Sequence, residues 1–192
     1  MSDRVAPITR ILWRSAELES LERFTSRPAN GGWRLEGLLV LPFEDEPAQI
    51  SYRVEVDGDW RTRRADVVIE RHGEDRRIRF AADGGGGWTL DGAPAESLAG
   101  CVDVDLGFTP ATNTLPIRRL AIDVGESRSL PVAWLLFPEL VVERNQQNYT
   151  RLAADRWQYR SDGFSAELTV DAGGHVLRYG DDLWVAVAHR TD

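Results

Sequence analysis

The stretch Gln49–Asp57, QISYRVEVD, places Ile50, Tyr52, Val54 and Val56 on one parity and Ser51, Arg53, Glu55 and Asp57 on the other. Successive side chains of an extended chain point to opposite faces, so this alternation marks a strand with one wall on a core and one toward water. The pattern repeats in Trp33–Leu41, through Trp33, Leu35, Leu39 and Leu41, and in Phe164–Val170, through Phe164, Ala166, Leu168 and Val170. Turn signals separate such runs: Asp57-Gly58, Asp91-Gly92, Asp162-Gly163, Gly173-Gly174 and Gly180-Asp181. Asp-Gly suits a primed hairpin turn because both central residues need positive φ, which glycine adopts without steric cost. These criteria give about eleven strands. The longest apolar run, Val132–Pro138, has the length of a buried strand.

Helix signals are few. Ala95–Gly100 fits one turn and Asn113–Arg119 another, with Asn113 or Thr114 as N-cap and Pro116 tolerated near the start. Beyond it, Leu120, Ile122 and Val124 alternate toward Gly125-Glu126, and Pro131–Phe137 reads as a returning partner strand. The expected fold is mainly β: one long antiparallel meander with one or two short helical turns. So many strands must curl, into a roll, an open barrel or two packed sheets.

With 192 residues and neither repeat nor linker, the chain reads as a single domain, 1–192, with residues 1–8 a loose N-terminal tail. A hydrophobic share of 42% excludes disorder, and 23 basic against 31 acidic side chains exclude a general nucleic-acid binder. Every basic residue is Arg, so lysine Schiff-base chemistry is closed. A lone Cys101 and scattered His72, His175 and His189 give no metal-ligand spacing, and no cofactor motif is present. No apolar run approaches the roughly 20 residues of a membrane span, and Met1–Pro7 does not resemble a leader. The expectation is a cytoplasmic protein.

Polar residues on an apolar face carry the most information. Stepping back by twos from Ile69, Val67 and Ala65 reaches Arg63 and Arg61, in line with the apolar parity. Asp103 and Asp105 share the face opposite Val102, Val104, Leu106 and Phe108. Either pair lines a cavity, or both are solvated, as most charged strand residues are. The densest segment, Cys101–Arg119, adds Asn113, Thr114, Arg118 and Arg119. It either folds over a pocket or closes the chain through caps at Asn113 and Thr114 and an Arg118 or Arg119 pair with Asp103 or Asp105.

The segments DGDWRTRRADV (Asp57–Val67), LAGCVDVDLGFTPATNTLPIRRL (Leu98–Leu120), LPVAWLLFPEL (Leu130–Leu140) and FSAELTVDAGGHVLRYGDDLW (Phe164–Trp184) resemble the bacterial putative glycolipid-binding family, formerly a domain of unknown function. The resemblance spans Trp13–Trp184 and implies a curled β-roll, similar in shape to bacterial lipoprotein carriers, with an interior suited to acyl chains. The function expected is to hold an amphipathic small molecule or glycolipid. Its tail would gain about 0.8 kcal/mol per buried methylene. Its head would meet Trp60, Arg61, Arg63, Asp103, Asp105, Asn113, Thr114, Arg118 and Arg119 at the mouth or interior beside Asp103–Arg119. The Gly84–Gly87 tip and the Glu44–Pro47 loop lack that chemistry. Alternatives are a partner-binding roll without ligand and, less favoured, a glycoside hydrolase using Asp103 and Asp105, which any i, i+2 strand pair sets about 7 Å apart. No nucleophile elbow or Cys–His pairing supports an enzyme.

Overall fold

The computed structural model describes residues 7–44 and 46–192. Residues 1–6 of the expected tail, and Asp45 of the acidic loop, lie outside them. Ile8 is tied down, exchanging backbone hydrogen bonds of 3.2 and 3.0 Å with Asp192.

Of the described residues, 61% are in strands. The first half is a meander of β1 (Thr9–Ser15), β2 (Ser20–Ala29), β3 (Gly32–Phe43), β4 (Glu46–Val56), β5 (Thr62–Arg71), β6 (Glu74–Ala82), β7 (Trp88–Leu90) and β8 (Ala93–Pro94). After a short β9 (Asp103–Leu106), the helix α1 (Thr114–Leu120) leads to β10 (Ser127–Leu135). A second meander follows: β11 (Val142–Arg151), β12 (Arg156–Ser161), β13 (Phe164–Val170), β14 (Val176–Tyr179) and β15 (Trp184–Thr191). All 15 strands form one open sheet in the order β8-β7-β6-β5-β4-β3-β2-β1-β15-β14-β13-β12-β11-β10-β9. The two meanders are joined in the middle, where β1 pairs with β15. The sheet is therefore a curled, open one, not a closed barrel.

The expected hairpin of 120–124 with 131–137 is not formed. Residues 121–126 are not strand, and β10 instead pairs parallel with β9 and antiparallel with β11. A parallel pair needs a crossover, and α1 with the 3₁₀ turn Pro110–Asn113 supplies it. Thr109 caps that turn, its hydroxyl accepting from the Ala111 N–H at 3.1 Å, while Asn113 takes the expected N-cap position of α1 but makes no side-chain capping hydrogen bond. The helix stops at Ala121, whose φ of 46° lies in the left-handed region.

Curling brings the sheet's two limbs together. Thr62 of β5 donates its N–H to the Val102 carbonyl at 3.2 Å and accepts from the Val104 N–H at 3.0 Å. Phe43 stacks on Phe137, centroids 5.1 Å apart. Inside the curl sits the crossover itself. Phe108, Ala111 and Leu115 are fully buried in the main core with Trp13, Phe24, Leu35 and Leu106, while Ile117 joins a second cluster with Tyr149, Trp157 and Leu168. Burying each of Phe108 and Leu115 is worth about 2–3 kcal/mol. The interior expected to receive an acyl chain is filled by the protein's own side chains.

Register settles which side chains face inward on β5 and β2. Val54 pairs with Ala65 and Glu55 with Arg64, but Val56 pairs with Thr62. Arg63 is thus the extra residue of a β-bulge, which reverses parity. Thr62 takes the inward place, while Arg61 and Arg63 are exposed and donate to the Gly84 and Asp83 carbonyls at 3.3 and 2.6 Å. On β2 the inward row is Ser20, Glu22, Phe24 and Ser26, leaving Leu21 exposed. Glu22 is wholly buried; Tyr52 Oη and Thr109 Oγ1 (2.9 Å) donate to its Oε1, and its Oε2 has no partner. The Tyr52 ring reaches it by lying across Gly37, where a Cβ would stand 2.2 Å from the ring.

Candidate functional site

Because α1 runs through the curl, the recesses lie at its two ends. The strand directions define them: β1 starts at the mouth lined by Thr9 and runs toward the one lined by Glu17, while α1 runs the other way, from Asn113 to Arg118. Four of the sequence-predicted residues divide between these mouths.

At one mouth, a recess of about 320 Å³ contains Asp105 and Asn113. Asp105 is fixed from two elements: the Thr112 hydroxyl donates to one oxygen at 2.8 Å and Gln147 Nε2 to the other at 2.6 Å. Asn113 Nδ2 donates to Tyr149 Oη at 2.8 Å, and that hydroxyl donates to Gln147 Oε1 at 3.3 Å. One network thus runs from the crossover through β11 to the carboxylate. Burial pushes the Asp105 carboxyl up, with Thr112 and Gln147 pulling it partly back and the nearby Asp103 adding to the rise. Aromatic walls come from Trp134, Tyr159, Phe164, Tyr179 and Trp184. Phe164 stacks on Tyr179 at 6.2 Å while remaining 44% exposed. Glu17 and Asp162 also line this recess, and among the described residues no basic side chain does.

At the other mouth, about 460 Å³, stand Trp60 and Arg118. The Asp57 carboxylate accepts the Asp59 and Arg61 N–H groups, both at 3.0 Å, building a turn that holds Trp60 at φ 63°. A non-glycine residue in that region costs roughly 1–2 kcal/mol, offset here by burying the indole against Trp33, centroids 5.2 Å apart. The Arg118 guanidinium lies 5.0 Å from the Trp60 centroid, and its stem crosses Gly174. Gly174 itself sits at φ 80°, and a Cβ there would stand 3.1 Å from Arg118 Cδ. Behind them, Asp171 gathers His175 Nδ1 at 3.1 Å and His189 Nε2 at 3.0 Å. Burial raises the Asp171 carboxyl, but the His175 and His189 contacts outweigh it and hold it at about 2.

The remaining predicted residues line neither recess. Asp103, 1% exposed, is paired with Arg119, so it does not share a cleft with Asp105 as a hydrolytic pair would. Thr114 is fully buried, and its hydroxyl has no partner. Arg61 and Arg63 face outward beside the 83–87 loop. A larger hollow, about 980 Å³, lies among hairpin tips near Pro47 and His72, but no Trp, Tyr or Phe lines it.

Residues 10–184 match the sequence profile of the family described as "Putative glycolipid-binding". The chain belongs to that family. A crystal structure of a DUF1089 family protein from Pseudomonas aeruginosa is 34% identical, covers 88% of this chain and 92% of its own, and superposes with a TM-score of 0.77. Curated proteins give no match. Within the matched region, the segment Leu98–Leu120 packs inside the curl and reaches both mouths, through Asn113 and Arg118. Sequence reasoning missed Trp33, Asp171, His175 and His189 at one mouth, and Trp134, Tyr159, Phe164, Tyr179 and Trp184 at the other. The turn DAGGH, Asp171–His175, was a usable local signal, because one carboxylate accepts from Gly173 and His175 across it.

Proposed function

We propose that this protein is a binding protein for an amphipathic, sugar-bearing ligand whose head occupies the Asp105 mouth. The observation that carries the reading is a held carboxylate and amide, Asp105 and Asn113, ringed by five aromatic side chains. Sugar rings offer apolar faces to aromatic side chains, and hydroxyls that donate to carboxylates. The recess is of the size that accepts a small head group. With Phe108 and Leu115 filling the interior, the tail lies along Phe164 and Leu183 at the rim. The family description supports a binding role.

The test is calorimetric titration with dodecyl maltoside below its micellar range. Asn113→Ala and Phe164→Ala should weaken binding about 5- to 150-fold, the equivalent of 1–3 kcal/mol. Thermal melts establish that each variant is folded. Phe164 is exposed, so its variant keeps the test sound if Asn113→Ala fails to fold. Unchanged affinity in folded variants moves the site elsewhere.

A further inference from the structure

The Trp60 mouth differs from the Asp105 mouth in one chemical respect. Among the described residues, three carboxylates and no cation line the Asp105 mouth, whereas Asp171 is the one carboxylate lining the Trp60 mouth, beside Arg118. Arg118 is exposed and has neither hydrogen bond nor ion pair among the described residues. It is nevertheless positioned, its stem over Gly174 and its guanidinium on Trp60. Asp171 does not compete for it. Its Oδ1 accepts the Gly173 and His175 N–H groups at 2.8 and 2.9 Å, and its Oδ2 meets His189 Nε2 at 3.0 Å. A cation held in place but left unneutralised, above a floor of stacked Trp33 and Trp60, suits an anion attached to an apolar body.

We propose that the Trp60 mouth is a second binding site, taking a single-chain amphiphile with an anionic head such as a fatty carboxylate. Arg118 receives the head, and the chain packs on Trp33 and Trp60 within the recess of about 460 Å³. The site is independent of the Asp105 mouth, so the two bind ligands of different head charge without competing.

Dodecanoate, dodecyl maltoside and dodecyltrimethylammonium, each below its micellar range, form the probe set for calorimetry on the full chain. Dodecanoate should bind, and Arg118→Ala should weaken it at least tenfold, with Arg118→Lys recovering part of the loss. Trp33→Ala should weaken it similarly. Dodecyl maltoside affinity should be the same in Arg118→Ala as in the parent. Absence of dodecanoate binding, or binding indifferent to Arg118→Ala, overturns the proposal. So does equal affinity for dodecyltrimethylammonium, which reports apolar contact alone. Dodecanoate displaced by dodecyl maltoside, or lost in Asn113→Ala, assigns it to the other mouth. Failure of dodecyl maltoside with dodecanoate binding intact defeats only the reading of the Asp105 mouth.

Discussion

Arg119 grips Asp103 with both ends of its fork: Nε donates to Oδ1 at 3.1 Å and Nη2 to Oδ2 at 2.6 Å. The pair joins the last turn of α1 to the strand that begins the crossover, closing the loop on itself. Removing Asp103 leaves a mostly buried guanidinium unpaired. Asp103→Ala should cost about 3 kcal/mol in urea unfolding, more than Asp105→Ala, whose partners are neutral. Equal, small losses in both variants would show that the pair does not hold the crossover.

Glu22 gives stability a pH dependence of its own. Burial raises its carboxyl from 4.5 to about 8, against smaller lowering by Tyr52 and Thr109. The folded protein keeps a proton there that the unfolded chain releases above pH 4.5, so stability falls as pH rises toward 8 and levels off beyond. The slope is about 1.4 kcal/mol per pH unit within that interval. Glu22→Gln should therefore gain on the parent steadily from pH 5 to 8, read from urea midpoints. Parallel profiles would mean that Glu22 is ionised in the fold.

Asp171 acts in the opposite sense. Its carboxyl is held at about 2 rather than 3.8, so its stabilisation is complete above pH 3.8 and is lost as pH falls through 2. The advantage of the parent over Asp171→Asn should shrink by about 2 kcal/mol between pH 5 and 2. A constant advantage across that range would place the two histidine contacts outside the energetics of folding.

Arg61 and Arg63 should be nearly silent. Both face out of the curl and donate to backbone carbonyls at the surface. Alanine at either position should change stability by less than about 1 kcal/mol and leave dodecyl maltoside titrations unaltered. A large loss of binding in either variant would restore them to the site.

The β architecture was legible because rows such as Ile50, Tyr52, Val54 and Val56 carry an inside–outside contrast that survives without tertiary information; all four are buried. Parity, however, is only as good as an unbroken strand. The bulge at Arg63 reversed the facing of two arginines, and on β2 the single leucine points outward while a glutamate points in. Register with Trp13 and Leu39 places Glu22 inward, and nothing within SLERFTS reveals it. Asp105, Asn113, Trp60 and Arg118 stood out as chemistry-bearing residues. Their division between two mouths depends on the crossover lying inside the curl. His189 meets Asp171 through the neighbouring placement of β15 and the β13–β14 turn, a relation no local spacing encodes.

The seam between β1 and β15 also sets an order of assembly. As the chain leaves the ribosome, β2 can pair with β1 at once, but the other edge of β1 waits for residues 184–191. At 5–20 residues per second that wait lasts roughly ten to forty seconds. Throughout it, β1 offers an open row of amides and carbonyls on which another nascent chain could add a strand. Arg10 and Arg14, on the outer face of that strand, place charge there in the meantime, the device by which unpaired edges are kept from joining one another.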